Sequence, residues 1–173
     1  MEAGAMEGEV VSVLESEEET LAWACALGEA LVGPAVIALI GEMGSGKTAF
    51  VRGLARGLGV VDLVNSPTYT LMQRYEGRLR LDHYDAWMEG REREVLADGA
   101  HELLGVEGVS VVEWGDRVEA WLPQDRLEVR LVVLAEQRRE LRARWLGGSD
   151  GGPTQRALEG LDGWVAARSK ERG

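Results

Sequence analysis

Cysteine and lysine are nearly missing from this chain of 173 residues. The single cysteine, Cys25, excludes an intrachain disulfide and a cysteine-built zinc cluster. It falls on a predicted helix and reads as a small buried residue. Long apolar runs are missing too: none reaches the roughly 18 residues that span a bilayer. The first residues are acidic, with no basic stretch ahead of an apolar core, so no signal peptide is expected. These absences predict a soluble cytoplasmic protein with no membrane partner. Positive charge is also in deficit, at a net −11. Phosphate backbones need a basic face, so an acidic domain of this kind is a poor autonomous nucleic-acid binder. Any RNA is expected to be held by a partner. No internal repeat is visible.

The scarcity of lysine is informative. The chain has 19 basic residues, 17 of them arginine, and its two lysines are Lys47 and Lys170. Lys47 lies in Gly41-Glu42-Met43-Gly44-Ser45-Gly46-Lys47-Thr48, which fits the P-loop pattern G-x-x-x-x-G-K-[ST]. An apolar run, Val36 to Ile40, enters the loop, and a helix-compatible segment, Thr48 to Leu58, leaves it. Glycines let backbone N–H groups approach phosphate oxygens, and the helix start favours negative charge. Lys47 can reach the β- and γ-phosphates, and the Thr48 hydroxyl can ligate Mg²⁺. A compact ammonium suits that role where a planar guanidinium does not. The plain alternative is a glycine-rich turn with a solvated lysine. No Asn-Lys-x-Asp guanine-reading motif is present, which argues against a GTPase.

Hydrophobic content of 45% and charged content of 28% suit one domain with a proper core. Residues 1–147 are expected to form it, with 148–173 a flexible linker and a closing helix packed on the same domain. Glu9 to Leu14 reads as a strand. Ser16 and Glu19 form a capping box for a helix from Glu17 to about Val32, ended by Gly33-Pro34. Its apolar stripe is Leu21, Ala24, Cys25, Leu27, Ala30 and Leu31. After the P-loop helix, Thr70–Tyr75 and Arg78–Tyr84 pair as a hairpin through Tyr75-Glu76-Gly77-Arg78. Glu89 to Leu96 is charged and reads as a solvated face. His101 reads as a satisfied or surface histidine. Strands follow at Val109–Trp114, Leu127–Leu134 and Glu140–Leu146. Thr154 caps a final helix running to Ala167, which Asp162-Gly163 weakens.

Three stretches could serve a nucleotide. Asn65 to Leu71 sets small hydroxyl residues around Pro67, suiting a loop that reaches a γ-phosphate and orders with it; an ordinary turn is the alternative. His83 and Asp85 close the second hairpin strand. A lone strand histidine is more often structural, but an acid at a strand's carboxyl end in a P-loop fold can position water. Glu113 ends the buried-type strand Val109–Trp114, as a Walker-B carboxylate does. A solvated strand-end glutamate is the alternative.

Taken in order, the P-loop, Ser66-Pro67-Thr68-Tyr69-Thr70-Leu71, His83-Tyr84-Asp85 and Val112-Glu113-Trp114 resemble the TsaE (YjeE) family from about residue 10 to 146. That family comprises small bacterial ATPases of tRNA threonylcarbamoyladenosine synthesis. The resemblance implies an α/β P-loop NTPase fold, a single mixed sheet flanked by helices. It implies ATP at Glu42, Met43, Gly44, Ser45, Gly46, Lys47, Thr48 and Ala49, and Mg²⁺ at Thr48 and Glu113. Asp85 becomes the catalytic carboxylate beside Lys47. Ser66, Pro67, Thr68 and Thr70 become a nucleotide-responsive switch, and Trp114 the tryptophan beside the site. Glu17 or Thr20 would lie near the base, and Arg139, with Arg138 as its neighbour, near the nucleotide. Partners implied are TsaD and TsaB, with tRNA reached only indirectly and ATP hydrolysis driving or resetting the complex. Asp82, Trp87-Met88 and Gly115 depart from the family pattern. A P-loop small-molecule or nucleoside kinase, with Arg91–Arg93 as a lid, and a non-enzymatic nucleotide switch are the alternatives. No arginine finger is obvious within the chain, so hydrolysis in isolation should be slow.

Overall fold

The computed structural model describes residues 8–87, 90, 96, 99–148, 152–164 and 167–168. The charged stretch 89–96 lies outside these except for Gly90 and Leu96. Met88, Arg91, Arg93, Val165 and Lys170 lie outside them as well. In chain order the elements are β1 (Glu9–Leu14), α1 (Glu17–Ala30), β2 (Ala35–Ile40), α2 (Lys47–Gly57), β3 (Met72–Tyr75) and β4 (Arg80–Asp85). Then come a 3-10 turn (Ala100–Leu103), β5 (Gly108–Glu113), a kinked 3-10 segment (Gly115–Trp121), β6 (Arg126–Val133), β7 (Arg139–Leu146) and α3 (Gly152–Glu159).

The strands form one mixed sheet in the order β1-β7-β6-β2-β5-β4-β3. β6, β2, β5 and β4 run parallel, and β1, β7 and β3 join antiparallel at the wings. Every residue of β2 and β5 is buried. That is why both read as continuous apolar runs, without the polar alternation of a half-exposed strand. One sheet face carries the larger core, with Ile37, Leu39, Val111, Val129 and Leu81 beneath Trp23, Leu27, Phe50 and Leu54 of α1 and α2. The other carries a smaller core, Val36, Ala38, Tyr84 and Val112 against Leu104, Val118 and Leu122.

α1 and α2 approach so closely that side chains are excluded between them. A Cβ on Gly53 would stand 2.2 Å from the Leu21 carbonyl oxygen, and one on Gly57 2.1 Å from that of Cys25. Glycine inside a helix costs about 1 kcal/mol against alanine. Two of them, one turn apart, let α1 lie directly on the helix that leaves the P-loop.

Several expectations need correction. α1 ends at Ala30, with Leu31 already extended (φ −70°, ψ 126°), so the chain leaves the helix before Gly33-Pro34. Ala30 is exposed, and Trp23, absent from the expected stripe, is fully buried with its Nε1–H donating to Ser12 Oγ at 3.2 Å. Cys25 is half-buried, its thiol donating to Glu29; burial, with Glu29's charge and hydrogen bond, raises its pKa. Thr154 lies inside α3, which begins at Gly152, so it is not the cap. α3 stops at Glu159, before Asp162-Gly163, yet Leu158, Leu161 and Trp164 still pack on the larger core.

Asp82 also finds its reason here. It is buried and takes Arg74 Nε at 2.7 Å and Arg80 Nη2 at 3.1 Å, so this departure from the family pattern is balanced by two arginines.

Candidate functional site

The register brings the site together. In the parallel pairs, Leu39 of β2 lies beside Glu113 of β5, and Glu113 beside Asp85 of β4. All three strands therefore deliver their carboxyl ends to one rim. The antiparallel wings bring more to that rim. Arg139 starts β7 opposite Val133 and Leu14, and Met72 starts β3 opposite Tyr84. Loops 15–16, 41–46, 64–71 and 134–138 thus open on the same end of the sheet.

The P-loop turn uses backbone that side chains rarely adopt: Gly44 has φ 75° and Gly46 φ 104°. Gly46 is the cap position of α2 and gives no side-chain bond, and the first turn of α2 carries no acid. The leading N–H groups therefore have no anion of the protein's own, and phosphate is their natural complement. Ser45 is fully buried, and its Oγ has no partner among the described residues.

Lys47 is 5% exposed. Its Nζ donates to the carbonyls of Gly41 (2.7 Å) and Glu42 (2.8 Å) and lies 3.8 Å from the Trp114 ring centroid. An ammonium has three N–H donors, so one remains for an incoming anion. Burial pushes its pKa below the ordinary lysine value, opposed by the charges of Glu113, Asp85 and Asp116. An anionic ligand would relieve that cost.

Asp85 is buried and accepts three hydrogen bonds. Its Oδ2 accepts from Ser66 Oγ (3.0 Å) and Thr68 Oγ1 (2.8 Å), and its Oδ1 from the Trp87 N–H (2.9 Å). The loop therefore meets the strand-end acid directly. Pro67 is buried and its carbonyl accepts from Leu71 N–H at 2.7 Å and from Thr70 Oγ1 at 3.4 Å. Leu71 closes the loop at φ 66°, a conformation that costs a leucine about 1–3 kcal/mol. Glu113, also buried, holds His83 Nε2 at 2.8 Å.

These groups share a cavity of about 570 Å³, lined by Lys47, Thr48, Ser66, Thr68, Asp85, Glu113 and Trp114, with Glu17 at its edge. A neighbouring cavity of about 310 Å³ has Glu17, Thr20, Gly44, Ala49 and Arg139 in its wall. Arg139 donates to the carbonyls of Ser45 and Gly44, both at 3.3 Å, whereas Arg138 pairs with Glu15. Of the two arginines, it is Arg139 that touches the P-loop. Glu42 and Met43 are both exposed; Met43 lines the larger cavity, and Glu42 lines a different one beside Trp114.

Two residues of the larger cavity escape the sequence reading, Arg52 and Trp87. Arg52 stands one helical turn after Thr48, a spacing that could have found it, and its Nε donates to Val64 O at 3.0 Å. Trp87 packs on Trp114 at 4.5 Å between centroids, with Arg117 stacked over both rings. That contact is long-range and leaves no local signal. Trp114 turns out of β5 at φ 59°, which lays its ring beside Lys47. Gly115 then fits tightly: a Cβ there would stand 2.9 Å from the Ala38 Cβ.

Among the described residues no group of three or more histidine, cysteine or acidic side chains could by itself hold a metal. Mg²⁺ bound with a nucleotide takes one or two protein oxygens and completes its shell with phosphates and water. The Thr48 hydroxyl and the Glu113 carboxylate line one cavity and fit this demand.

Sheet topology, loop and strand-end acids define a protein of the P-loop NTPase fold. The crystal structure of Bacillus subtilis YdiB matches it with a TM-score of 0.66 at 29% identity, covering 93% of this chain and 96% of that one. A family model, threonylcarbamoyl adenosine biosynthesis protein TsaE, matches residues 14–141. A Treponema pallidum protein described as tRNA threonylcarbamoyladenosine biosynthesis protein TsaE is 40% identical over 129 residues, 75% of this chain and 96% of its own length. One from Aquifex aeolicus with the same description is 37% identical over 133 residues, covering 75% and 92%. The chain belongs to the TsaE family. No helix of the described residues is long and apolar enough to cross a membrane.

Proposed function

We propose that the chain is the Mg²⁺-dependent ATPase subunit of tRNA threonylcarbamoyladenosine synthesis. It acts in the cytoplasm with TsaD and TsaB, drives or resets their complex, and meets tRNA only through them. The observation that carries the reading is the meeting of Lys47, Thr48, Asp85 and Glu113 on one cavity at the rim of the parallel strands. Chemistry on a P-loop is mostly positioning and charge stabilisation.

The loop amides and the free donor of Lys47 hold the β- and γ-phosphates and stabilise charge as it shifts. Thr48 and Glu113 would hold Mg²⁺, which when bound would supply further neutralisation of the phosphates. Asp85 orients a water, or takes its proton. The water oxygen then bonds to the γ-phosphorus as the bond to the bridging oxygen breaks, leaving ADP and phosphate. In the structure both oxygens of Asp85 already accept hydrogen bonds, Oδ2 from the loop of Ser66 and Thr68. Oδ1 accepts one bond and keeps a lone pair for water, whereas Oδ2 is freed only when the loop moves, so loop position sets which oxygen can act. The base and sugar are assigned to the side of Glu17, Thr20 and Arg139. The described helix Gly152–Glu159 and Leu161 are assigned to the same domain, through the packing of Leu158 and Leu161.

The test is phosphate release by the isolated chain and by the chain with TsaD and TsaB. A partner that completes a P-loop site can raise its rate by orders of magnitude, so a rise of at least about tenfold is expected. An unchanged rate in the reconstituted complex removes the coupling.

A further inference from the structure

His83 has no part in the mechanism above, yet its surroundings are not those of a packing residue. Side chains alternate along a strand, so Leu81, His83 and Asp85 share one face of β4. Leu81 places that face in the core beneath α1 and α2, the side of the sheet on which Lys47 stands. The parallel register pairs Asp85 with Glu113 and His83 with Val111, so the imidazole lies one step behind the two carboxylates. Its Nε2 is 2.8 Å from Glu113 Oε1, with the ring fully buried and the glutamate 3% exposed. With Glu113 ionised, two acceptors would not approach to that distance, so the ring donates from Nε2.

The other nitrogen, Nδ1, is buried without a partner among the described residues. An orphaned buried nitrogen costs stability. An apolar side chain would fill the space without that cost. What the histidine adds is a donor to Glu113, fixed by the sheet. That bond engages Oε1 and leaves Oε2 for the cavity that Glu113 lines.

We propose that His83 is a positioning residue: it holds one oxygen of Glu113 so that the other is presented to nucleotide-bound Mg²⁺. This rests on the reading of the cavity as a Mg²⁺–nucleotide site. Donors behind metal-binding groups fix their orientation, and losing one typically weakens metal affinity by about ten- to a hundredfold. Because the bond comes from a neighbouring strand, it does not depend on where the 64–71 loop lies.

The experiment titrates the full chain with ADP in EDTA, and then with Mn²⁺ in the presence of ADP, reading free Mn²⁺ by electron paramagnetic resonance. His83→Phe keeps a ring and lacks the donor. Its Mn²⁺ dissociation constant should rise by at least about tenfold, while metal-free ADP affinity moves by less than about twofold. His83→Gln can donate from a similar place and should recover most of the loss. Unchanged Mn²⁺ affinity in folded His83→Phe overturns the proposal, and so does an equal loss of metal-free ADP binding. Should His83→Phe not fold, His83→Leu replaces it. Collapse of both assigns the residue to the core and overturns the proposal. Wild-type protein that binds no ADP overturns the nucleotide reading together with the proposal. A normal wild type beside an unmoved His83→Phe overturns the proposal alone.

Discussion

Two helices start on the same rim of the sheet, and their starts are built in opposite ways. α1 closes itself. Ser16 Oγ accepts from the Glu19 N–H at 3.2 Å, the Glu19 carboxylate accepts from the Glu15 N–H at 2.8 Å, and Glu17, Glu18 and Glu19 set negative charge in the first turn. α2 does none of this: its cap is Gly46, its first residue is Lys47 and its first turn has no acid. A helix start carries a partial positive charge and unpaired N–H groups. The first helix satisfies them from its own sequence, and the second leaves them to a ligand. One end is a structural joint and the other a binding surface, so substitutions at the two should separate cleanly into effects on stability and effects on ligand.

The largest separation is expected across the cavity from the start of α2, at the acid proposed to act on water. Asp85→Ala should lower ATP hydrolysis by at least about a hundredfold, the scale of general acid–base catalysis, and leave nucleotide binding in place. Near-normal turnover in that variant would show that Asp85 does not act on water. Next is the open start itself. Lys47→Ala removes a charge-assisted bond of about 1.5–3 kcal/mol, so ATP affinity should fall by about ten- to a hundredfold by calorimetry. The same change relieves a buried ammonium whose pKa burial already depresses, so its melting temperature should hold or rise. A clear drop in melting temperature with ATP affinity intact would make Lys47 a structural residue and erase the contrast between the two helices.

Much of this was legible in the sequence, and the reason is local. β1 runs over Glu9–Leu14, as its sequence reads, and the Ser16–Glu19 box acts within four residues. The P-loop and the buried strand ending at Glu113 are likewise read from neighbours in the chain. What stayed hidden depends on contacts far apart in sequence. Trp23 is in the core because Ser12 of β1 takes its N–H and Phe50 of α2 lies beside it. α1 ends at Ala30, with Leu31 extended and buried, a little ahead of Gly33-Pro34. Trp87 on Trp114, and Ser66 and Thr68 on Asp85, span 17 to 27 residues. The choice between Arg138 and Arg139 is settled across more than ninety residues by the carbonyls of Ser45 and Gly44. His83 is the sharpest case: alone it reads as a core histidine, and only the β4–β5 register gives it Glu113.

The smallest effect is expected at the closed start. Ser16→Ala removes the hydroxyl that accepts from Glu19 N–H and leaves the acids of the first turn in place. Losing such a cap costs about 1 kcal/mol, which is about 2–4 °C in melting temperature for a chain of this size. Glu17 lines the cavity, so the cap also helps to hold one wall of the site. That wall is nevertheless anchored elsewhere, since Thr20, Trp23, Ala24 and Leu27 bury the rest of α1 against the core. Fraying of the first turn should therefore appear in the melt, with ATP affinity moving by less than about twofold. A melting temperature that does not move would mean that packing alone sets the helix start. A loss of ATP affinity as large as that of Lys47→Ala would mean that both helix starts belong to the binding surface, and the separation argued above would fail.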